Sequence, residues 1–388
     1  MSKAVRYLLS IVGDDARKLG FSFSIRHRLV ASAPAILVWI IALMPVHTNF
    51  AQRVPPYPPS PVIKSIIWAP TNTIVRMAKD GDNWPVTWGS DDAIYTTWGD
   101  GTGFLPKVQK KLSCGFARVT GHPPDFTGEN IRSAAEQFGG GRNGLKGWGM
   151  LAIDDTLYLW FGHADKNGGQ ARLAWSKDFA RTWTFAEWKF AEFGLIGFAN
   201  FGRGYEGARD EFVYAYSHDG PRADMPADRF SLMRAPKNEV TKRDAWEFFA
   251  GFDALGKPRW SGEISGRAGV FHNRDGCLRS AMTYNPGLRR YLWWQQIPQP
   301  PGHPDRGDTR FEGGFAIYDA PEPWGPWTTA FFTTKWDVGP GEHGDFPAKW
   351  ISRDGKTAWL VFSGEDAFSV RKAEFKLEEF AEKSKLLP

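Results

Sequence analysis

Carboxyl side chains recur beside short aromatic segments in this 388-residue sequence. Asp82 precedes the first such segment and Asp100 follows it, so the two could approach each other across an inner strand. Hydrolysis of a glycosidic bond requires a pair of carboxyl groups, one acting as acid and the other as base or nucleophile. We predict Asp82 as the base or nucleophile and Asp100 as the acid or its orienting partner. Asp165 and Asp345 stand at comparable places in later segments and are reserve candidates for the acid.

A second set of side chains could bind sugar hydroxyl groups or stack on sugar rings. The residues that we predict to bind substrate are Lys146, His163, His218, Arg267, Gln295, His343, Trp98 and Trp148. Polar residues of the same regions without an assigned role include Asp80, Arg142, Asp219, Glu263, Gln296, Glu342 and Glu365. The histidines could instead form a metal site with neighbouring acids, since imidazole is a common ligand. They belong to different segments without ligand spacing, so we predict no metal and no cofactor.

One theme recurs five times along the chain: a small and apolar strand, a turn, an aromatic-rich strand that ends in polar residues, and further strands. The first strands of the five repeats are predicted at residues 84–88, 148–153, 196–201, 268–272 and 346–350. Radial repetition of small antiparallel sheets produces this pattern, so the sequence predicts an all-β, five-bladed β-propeller. The last repeat lacks a fourth strand, which the apolar stretch at residues 63–77 could supply. A β-sandwich with irregular strands is the alternative.

The propeller prediction sorts the acidic residues. Loops that precede inner strands and loops that join second to third strands open on one face, and these loops carry the candidate site residues. Hairpins between first and second strands open on the opposite face. The aspartates of those hairpins are interpreted as turn formers: Asp91, Asp92, Asp154, Asp155 and Asp354.

A local motif at residues 176–183 resembles an Asp-box, Ser-x-Asp-x-Gly-x-Thr-Trp. Ser176, Asp178, Thr182 and Trp183 match it, and Ala180 stands where glycine is usual. Such a turn links a third and a fourth strand on the outside of a propeller. We interpret it as structural.

Composition limits the remaining function classes. The net charge of +5 and the pI near 9.0 come from scattered cations, and a nucleic-acid surface would need them clustered on one face. Two distant cysteines, Cys114 and Cys277, cannot form a disulfide framework, and two buried free thiols are favoured over one long-range bridge. The glycine-rich segment 139–144 lacks the features of a phosphate loop, and no Gly-x-Ser-x-Gly elbow is present.

The N-terminus is typical of an exported protein. Basic residues 26–28 precede a mostly apolar run at 29–44, and Ala51 precedes a Pro-rich stretch. We predict a signal peptide or membrane anchor at 1–51, a linker at 52–61, the propeller at 62–378 and a tail at 379–388. The run is short for a full membrane span, so we favour cleavage and a secreted or periplasmic monomer.

Several phrases resemble the bacterial DUF4185 family: residues 84–88, 95–101, 201–210, 318–327 and 346–350. The likeness extends over about residues 61–374. The family is similar to five-bladed propeller glycosidases, and some members are endo-arabinofuranosidases that degrade D-arabinan. The resemblance therefore implies a glycan-hydrolase fold, and it carries over only Asp82 and Asp100 as acidic positions around the first matching phrase.

We expect a glycoside hydrolase that acts on a polysaccharide by two-carboxylate chemistry, with arabinan-like furanosides among the candidates. Carbohydrate is the expected partner, nucleic acid is not, and a membrane is contacted only through the N-terminal segment. A non-catalytic glycan- or protein-binding propeller is the alternative. A sialidase is weaker, since it needs an arginine triad and only scattered arginines such as Arg203, Arg267 and Arg310 are present.

Overall fold

A computed structural model of the chain describes residues 53–300, 302–303 and 306–378. The predicted signal or anchor segment at 1–51 and the predicted tail at 379–388 lie outside the described residues. Within the described ranges, no helix has the length and apolar character needed to cross a membrane. Helical structure in these ranges consists of single 3₁₀ turns at Thr71–Thr73, Gly141–Asn143, Arg203–Tyr205, Arg243–Ala245, Ile264–Gly266, Ala348–Trp350 and Gly364–Asp366.

The strands form antiparallel meanders that follow the chain in order. Two strands precede the repeats: β1 (Ile63–Trp68) and β2 (Val75–Met77). The first sheet contains β3 (Val86–Trp88), β4 (Ile94–Trp98), β5 (Gly115–His122) and β6 (Asp125–Ile131). The second sheet contains β7 (Lys146–Ile153), β8 (Thr156–Gly162), β9 (Ala171–Ser176) and β10 (Thr184–Phe185).

The next two meanders are joined. The third contains β11 (Gly197–Asn200), β12 (Phe212–His218), β13 (Ala227–Pro236), β14 (Glu247–Phe252) and β15 (Pro258–Ser261), with β16 (Gly269–Cys277) also paired to β13. The fourth contains β17 (Ser280–Asn285), β18 (Arg290–Ile297), β19 (Gly314–Ala320) and β20 (Thr328–Thr333). The innermost strands β11 and β17 pair in parallel, which connects the two meanders into one hydrogen-bonded sheet.

The last sheet is completed by the start of the described chain. It contains β21 (Gly344–Asp345), β22 (Thr357–Phe362) and β23 (Phe368–Leu377), and β1 pairs with β23 on its outer side. Strand β2 also pairs with β23. The prediction that residues 63–77 supply the missing strand is therefore confirmed.

Apolar cores lie between neighbouring sheets. Tyr95 of the first meander packs in one cluster with Leu159 of the second, and a larger cluster joins the second, third and fourth meanders. A further cluster joins the fourth meander to the fifth, which is the last sheet. Phe368 of the fifth meander packs against Trp84, with 5.4 Å between ring centroids. Because the sequence of contacts returns to the first sheet, the architecture is all-β and propeller-like.

Two predicted inner strands are wrong. Residues 269–272 of the predicted strand belong to β16, which pairs with β13, and the inner strand of the fourth repeat is β17. In the fifth repeat the inner strand is only β21, and residues 348–350 form a 3₁₀ turn that buries Trp350. Both segments have the apolar composition of inner strands, and it is their pairing that excludes them.

The structure also describes the two cysteines and the turn at residues 176–183. Cys114 and Cys277 are buried free thiols, as favoured. At the turn between β9 and β10, Asp178 accepts hydrogen bonds from Ser176 Oγ at 2.8 Å and from Thr182 Oγ1 at 2.6 Å. Ala180 adopts a φ of 71°, a left-handed conformation that explains why glycine is usual there.

Candidate active site

Loops from all five meanders meet at one cavity of about 510 Å³. Its walls come from the two kinds of loop that a propeller places on the same face. The residues that line it are Asp82, Asn83, Asp100, Gly141, Arg142, Lys146, Trp148, His163, Leu195, Ala223, Asp224, Met225, Arg279, His303, Arg306 and Glu342. Five predicted site residues are thus brought together: Asp82, Asp100, Lys146, Trp148 and His163.

Asp82 is held in the cavity by backbone pairing. Its N–H donates to Gly99 O at 2.9 Å, and Gly99 N–H donates to Asp82 O at 2.8 Å, which fixes it beside the end of β4. A Cβ on Gly99 would lie only 2.3 Å from Asp82 Oδ1, so a glycine is needed for the carboxyl group to lie against this strand. Asn83 Nδ2 donates a hydrogen bond of 2.9 Å to Asp82 Oδ1.

The environment favours a protonated Asp82. Burial raises its pKa, the nearby Glu342 raises it further, and Lys146 opposes both; Asp100 adds to the rise and Arg279 to the opposition. The resulting pKa is about 7. Asp82 can therefore hold a proton near neutral pH, where an ordinary aspartate is ionised.

Asp100 forms an ion pair with Lys146. The ammonium group of Lys146 contacts Asp100 Oδ1, and Lys146, at the start of β7, is only 6% exposed. Gly141 N–H donates a longer hydrogen bond of 3.4 Å to Asp100 Oδ2. A charge so deeply buried requires a partner, so the pair holds the first and second sheets together at the cavity wall.

Glu342 and Arg279 form another ion pair in the cavity wall, at 3.2 Å. Glu342 lies just before β21 and Arg279 just before β17. Glu342 is among the polar residues without a predicted role, and Arg279 is not among the predicted site residues. Correct inner-strand positions would have identified both, since each lies one or two residues before such a strand.

Two neutral rings, those of His163 and Trp148, also line the cavity. Burial lowers the pKa of His163 to about 4, with a further contribution from Lys146, and its Nδ1 lies 3.2 Å from Gly141 O. Trp148 is 4% exposed and packs edge-on against His343, with 5.4 Å between ring centroids. His343 itself is buried behind Trp148, and burial lowers its pKa to about 3.

Two predicted acids lie elsewhere. Asp165 lies in the turn between β8 and β9 and does not line the cavity; Asn167 N–H and Gly169 N–H donate to its Oδ1. Asp345 lies within β21 and is 4% exposed, and Thr283 donates a hydrogen bond of 3.0 Å to it. Since β21 begins two residues earlier than the predicted strand, Asp345 falls in the core, whereas Glu342 reaches the cavity.

Besides His343, four predicted binding residues do not line this cavity. Trp98 and Gln295 are 1% and 2% exposed in β4 and β18. His218 is buried, and its Nε2 lies 2.7 Å from Arg222 O. Arg267 precedes β16 and pairs with Asp219 at 2.8 Å, because its segment belongs to the third meander.

In the described part of the chain, no group of three or more His, Cys, Asp or Glu side chains is arranged to hold a metal ion.

Comparison with known proteins gives a likeness of fold at low identity. No family model matches the sequence, and no characterised protein matches it in sequence. Among solved structures, the chain is similar to a glycosyl hydrolase from Bacteroides ovatus, with 13% identity, coverage of 84% of this chain and 98% of that chain, and a TM-score of 0.43.

Two further structures give similar values. A GH43_1 enzyme from Xanthomonas citri is 14% identical, with 81% of this chain and 93% of that chain covered and a TM-score of 0.43. RS223-Beta-xylosidase is 11% identical, with 79% and 98% covered and a TM-score of 0.44. The chemistry of the cavity has to be judged from its own side chains.

Proposed function

We propose that this chain is a glycoside hydrolase whose five meanders are the blades of a propeller and whose active site is the cavity around Asp82. One observation carries the proposal: Asp82, with its pKa raised to about 7, lies near two carboxyl groups that are each paired with a cation. Carboxyl groups whose environments separate their protonation states are suited to acid and base roles.

The roles follow from the charges. Asp82 forms no ion pair with a cation of the described residues and would donate its proton to the glycosidic oxygen. Glu342, held by Arg279, is the ionised group that attacks the anomeric carbon or activates water. Asp100 and Lys146 are positioning residues that set the field around Asp82. This assignment reverses the expectation from sequence, in which Asp82 is the base or nucleophile.

Leaving-group dependence tests the assignment. Asp82→Asn and Glu342→Gln would be compared on a polysaccharide panel that includes arabinan and xylan, and on aryl glycosides with a good leaving group. Loss of an acid costs about 10²–10⁴-fold when the leaving group needs a proton. We therefore expect Asp82→Asn to lose polysaccharide hydrolysis while keeping most activity on the aryl glycoside, and Glu342→Gln to lose both.

Each outcome has a consequence. If Asp82→Asn loses both activities, Asp82 is the base or nucleophile. If the unsubstituted protein cleaves nothing in the panel but binds a glycan, the non-catalytic alternative replaces hydrolysis. Asp125→Asn is the matched control, because Asp125 is exposed at the start of β6, and it should behave as the unsubstituted protein.

We also propose that the protein is exported, as a secreted or periplasmic monomer. The basic and apolar N-terminal segment supports this. Fractionation of the producing cell, with N-terminal sequencing of the recovered protein, tests it. A chain that starts near residue 52 is expected, whereas an intact N-terminus in the membrane fraction would indicate an anchor, and one in the cytoplasm would contradict export.

A further inference from the structure

A second cavity, of about 840 Å³, adjoins the candidate active site. Met225 lines both cavities, and its side chain is 55% exposed. Ligand sites have volumes of roughly 300–1,000 Å³, so either cavity could hold a ligand. A ligand that extends past Met225 would occupy both.

Cations dominate the wall of the second cavity. Its charged and titratable lining residues are Asp219, Arg222, Asp228, Arg229, Arg267 and His272. Asp219 is nearly buried, and both of its oxygens are engaged: Oδ2 accepts from Arg229 Nε at 2.5 Å and Oδ1 from Arg267 Nε at 2.8 Å. The carboxylate of Asp219 thus accepts hydrogen bonds from two guanidinium groups.

The same arrangement recurs beside Met225. Asp224 accepts a hydrogen bond of 3.2 Å from Arg222 Nε and a second one from Arg142. Burial would raise the pKa of Asp224, but the hydrogen bonds from the two arginines outweigh it and hold the pKa below its usual value. Asp228 is exposed, and its Oδ1 accepts from Asp275 N–H. Four arginines therefore face three carboxylates along the wall from one cavity to the other.

Hydrogen-bond donors remain for a ligand. No side-chain or backbone acceptor among the described residues bonds the terminal nitrogens of Arg229 or Arg222. A Cβ on Gly269 would lie 2.6 Å from His272 Cε1 and 2.9 Å from Arg229 Cδ, so this glycine leaves the space that both side chains occupy. Asp219 holds Arg229 by its Nε, which leaves its terminal nitrogens to bind oxyanions.

We propose that the second cavity binds an anionic substituent of a glycan, a carboxylate, sulfate or phosphate group, so that the substrate is an acidic glycan. The assignment of an acidic glycan as the substrate rests on the proposed hydrolase function, whereas the proposed anion site does not. A sugar residue at Asp82 would be followed, across the apolar Met225 side chain, by a residue whose acidic group pairs with Arg229 and Arg222.

Direct binding tests the site. Sodium sulfate, inorganic phosphate and D-glucuronate would be titrated at low ionic strength into the purified protein, with D-glucose as the neutral control, by NMR of the arginine Nε–H groups. Charge-assisted hydrogen bonds contribute about 1.5–3 kcal/mol, which corresponds to a loss of about tenfold or more when one is removed. We expect Arg229→Gln to weaken anion binding by at least this factor.

Matched variants keep the test decisive. Arg209 lies in the loop between β11 and β12, pairs with Glu322, and is about as exposed as Arg229. Arg209→Gln should therefore leave anion binding unchanged. If Arg229→Gln does not fold, as judged by its melting temperature, Arg222→Gln carries the same expectation. The anion that binds most tightly identifies the substituent.

The result separates this proposal from the hydrolase proposal. Anion binding that is absent, or equal in Arg229→Gln and the unsubstituted protein, overturns the anion site even if neutral glycans are cleaved. Anion binding that Arg229→Gln weakens, in a protein that cleaves no acidic or neutral glycan, leaves the site standing and overturns hydrolysis.

Discussion

Glu342 Oε1 lies 3.2 Å from Arg279 Nη1. This ion pair joins the loop before β21 to the loop before β17, which are the inner strands of the fifth and fourth meanders. Both side chains are mostly buried, with 19% and 14% exposure. The two charges act on Asp82 in opposite directions, since Glu342 raises its pKa and Arg279 lowers it. Beside the larger effect of burial, the pair therefore contributes to the pKa of the carboxyl group that the proposed hydrolysis requires.

Removal of either charge should move the titration of Asp82 in a defined direction. Arg279→Gln raises the pKa of Asp82, and Glu342→Gln lowers it, because each variant removes one of the two opposing influences. Infrared titration of the carboxyl groups measures this in protein that need not be active. Arg209→Gln is the control; equal titrations in all four proteins would contradict the coupling.

Gly99→Ala should inactivate the site without unfolding the protein. The added Cβ would lie 2.3 Å from Asp82 Oδ1 and displace the carboxyl group. A misplacement of about 1 Å can cost about 100-fold in rate, and we expect a loss of that order in kcat/KM. Gly140→Ala is the control, since among the described residues no atom beyond the neighbours along the chain lies within 4 Å of its added Cβ. Full activity of Gly99→Ala would show that activity does not require the carboxyl group of Asp82 in its present position.

Asp345 should make folding stability depend on pH. Burial raises its pKa to about 7, against hydrogen bonds from Thr283 and the backbone of Val86 that lower it. Between about pH 4 and pH 7 the folded state keeps a proton that the unfolded state has lost, so stability falls as pH rises, by up to about 1.4 kcal/mol per pH unit.

The variant Asp345→Asn isolates this effect, because Asp82 titrates in both proteins and cancels in the difference. Urea unfolding at several pH values should show the free energy of unfolding of Asp345→Asn rising relative to that of the unsubstituted protein between pH 5 and pH 7. A difference that is constant over this range would place the pKa of Asp345 near its ordinary value.

Asp178 should contribute to stability and not to activity. Its carboxyl group accepts hydrogen bonds from Ser176 Oγ, Thr182 N–H and Thr182 Oγ1 in the turn between β9 and β10. Asp178→Ala should lower the free energy of unfolding by about 1–2 kcal/mol, as expected for the loss of such bonds. Lys177→Ala, at an exposed neighbour, should change little. A reduced kcat/KM of Asp178→Ala, measured under conditions in which the variant is fully folded, would contradict a purely structural role.

The sequence predicted much of the fold because its signals are local. Turn residues and aromatic strands mark the repeats, and the aromatic-rich strand expected in each repeat is present as β4, β8, β12, β18 or β22. Inner strands were harder to predict, since 268–272 and 346–350 have apolar composition but lie outside the inner positions. Each error displaced the site residues beside it: Arg267 was chosen instead of Arg279, and Asp345 instead of Glu342.

The amino-acid sequence alone thus determined an all-β repeat, the closing strand at residues 63–77, and Asp82 with Asp100 as the first pair of acids. The tertiary structure decided which charges surround them. Glu342, Arg279 and Lys146 are distant in the chain, and their effects on Asp82 depend on distances and burial that only the packed sheets create. Electrostatic interactions act through space, whereas sequence patterns report on neighbours along the chain, so the proton on Asp82 could be assigned only from the folded protein.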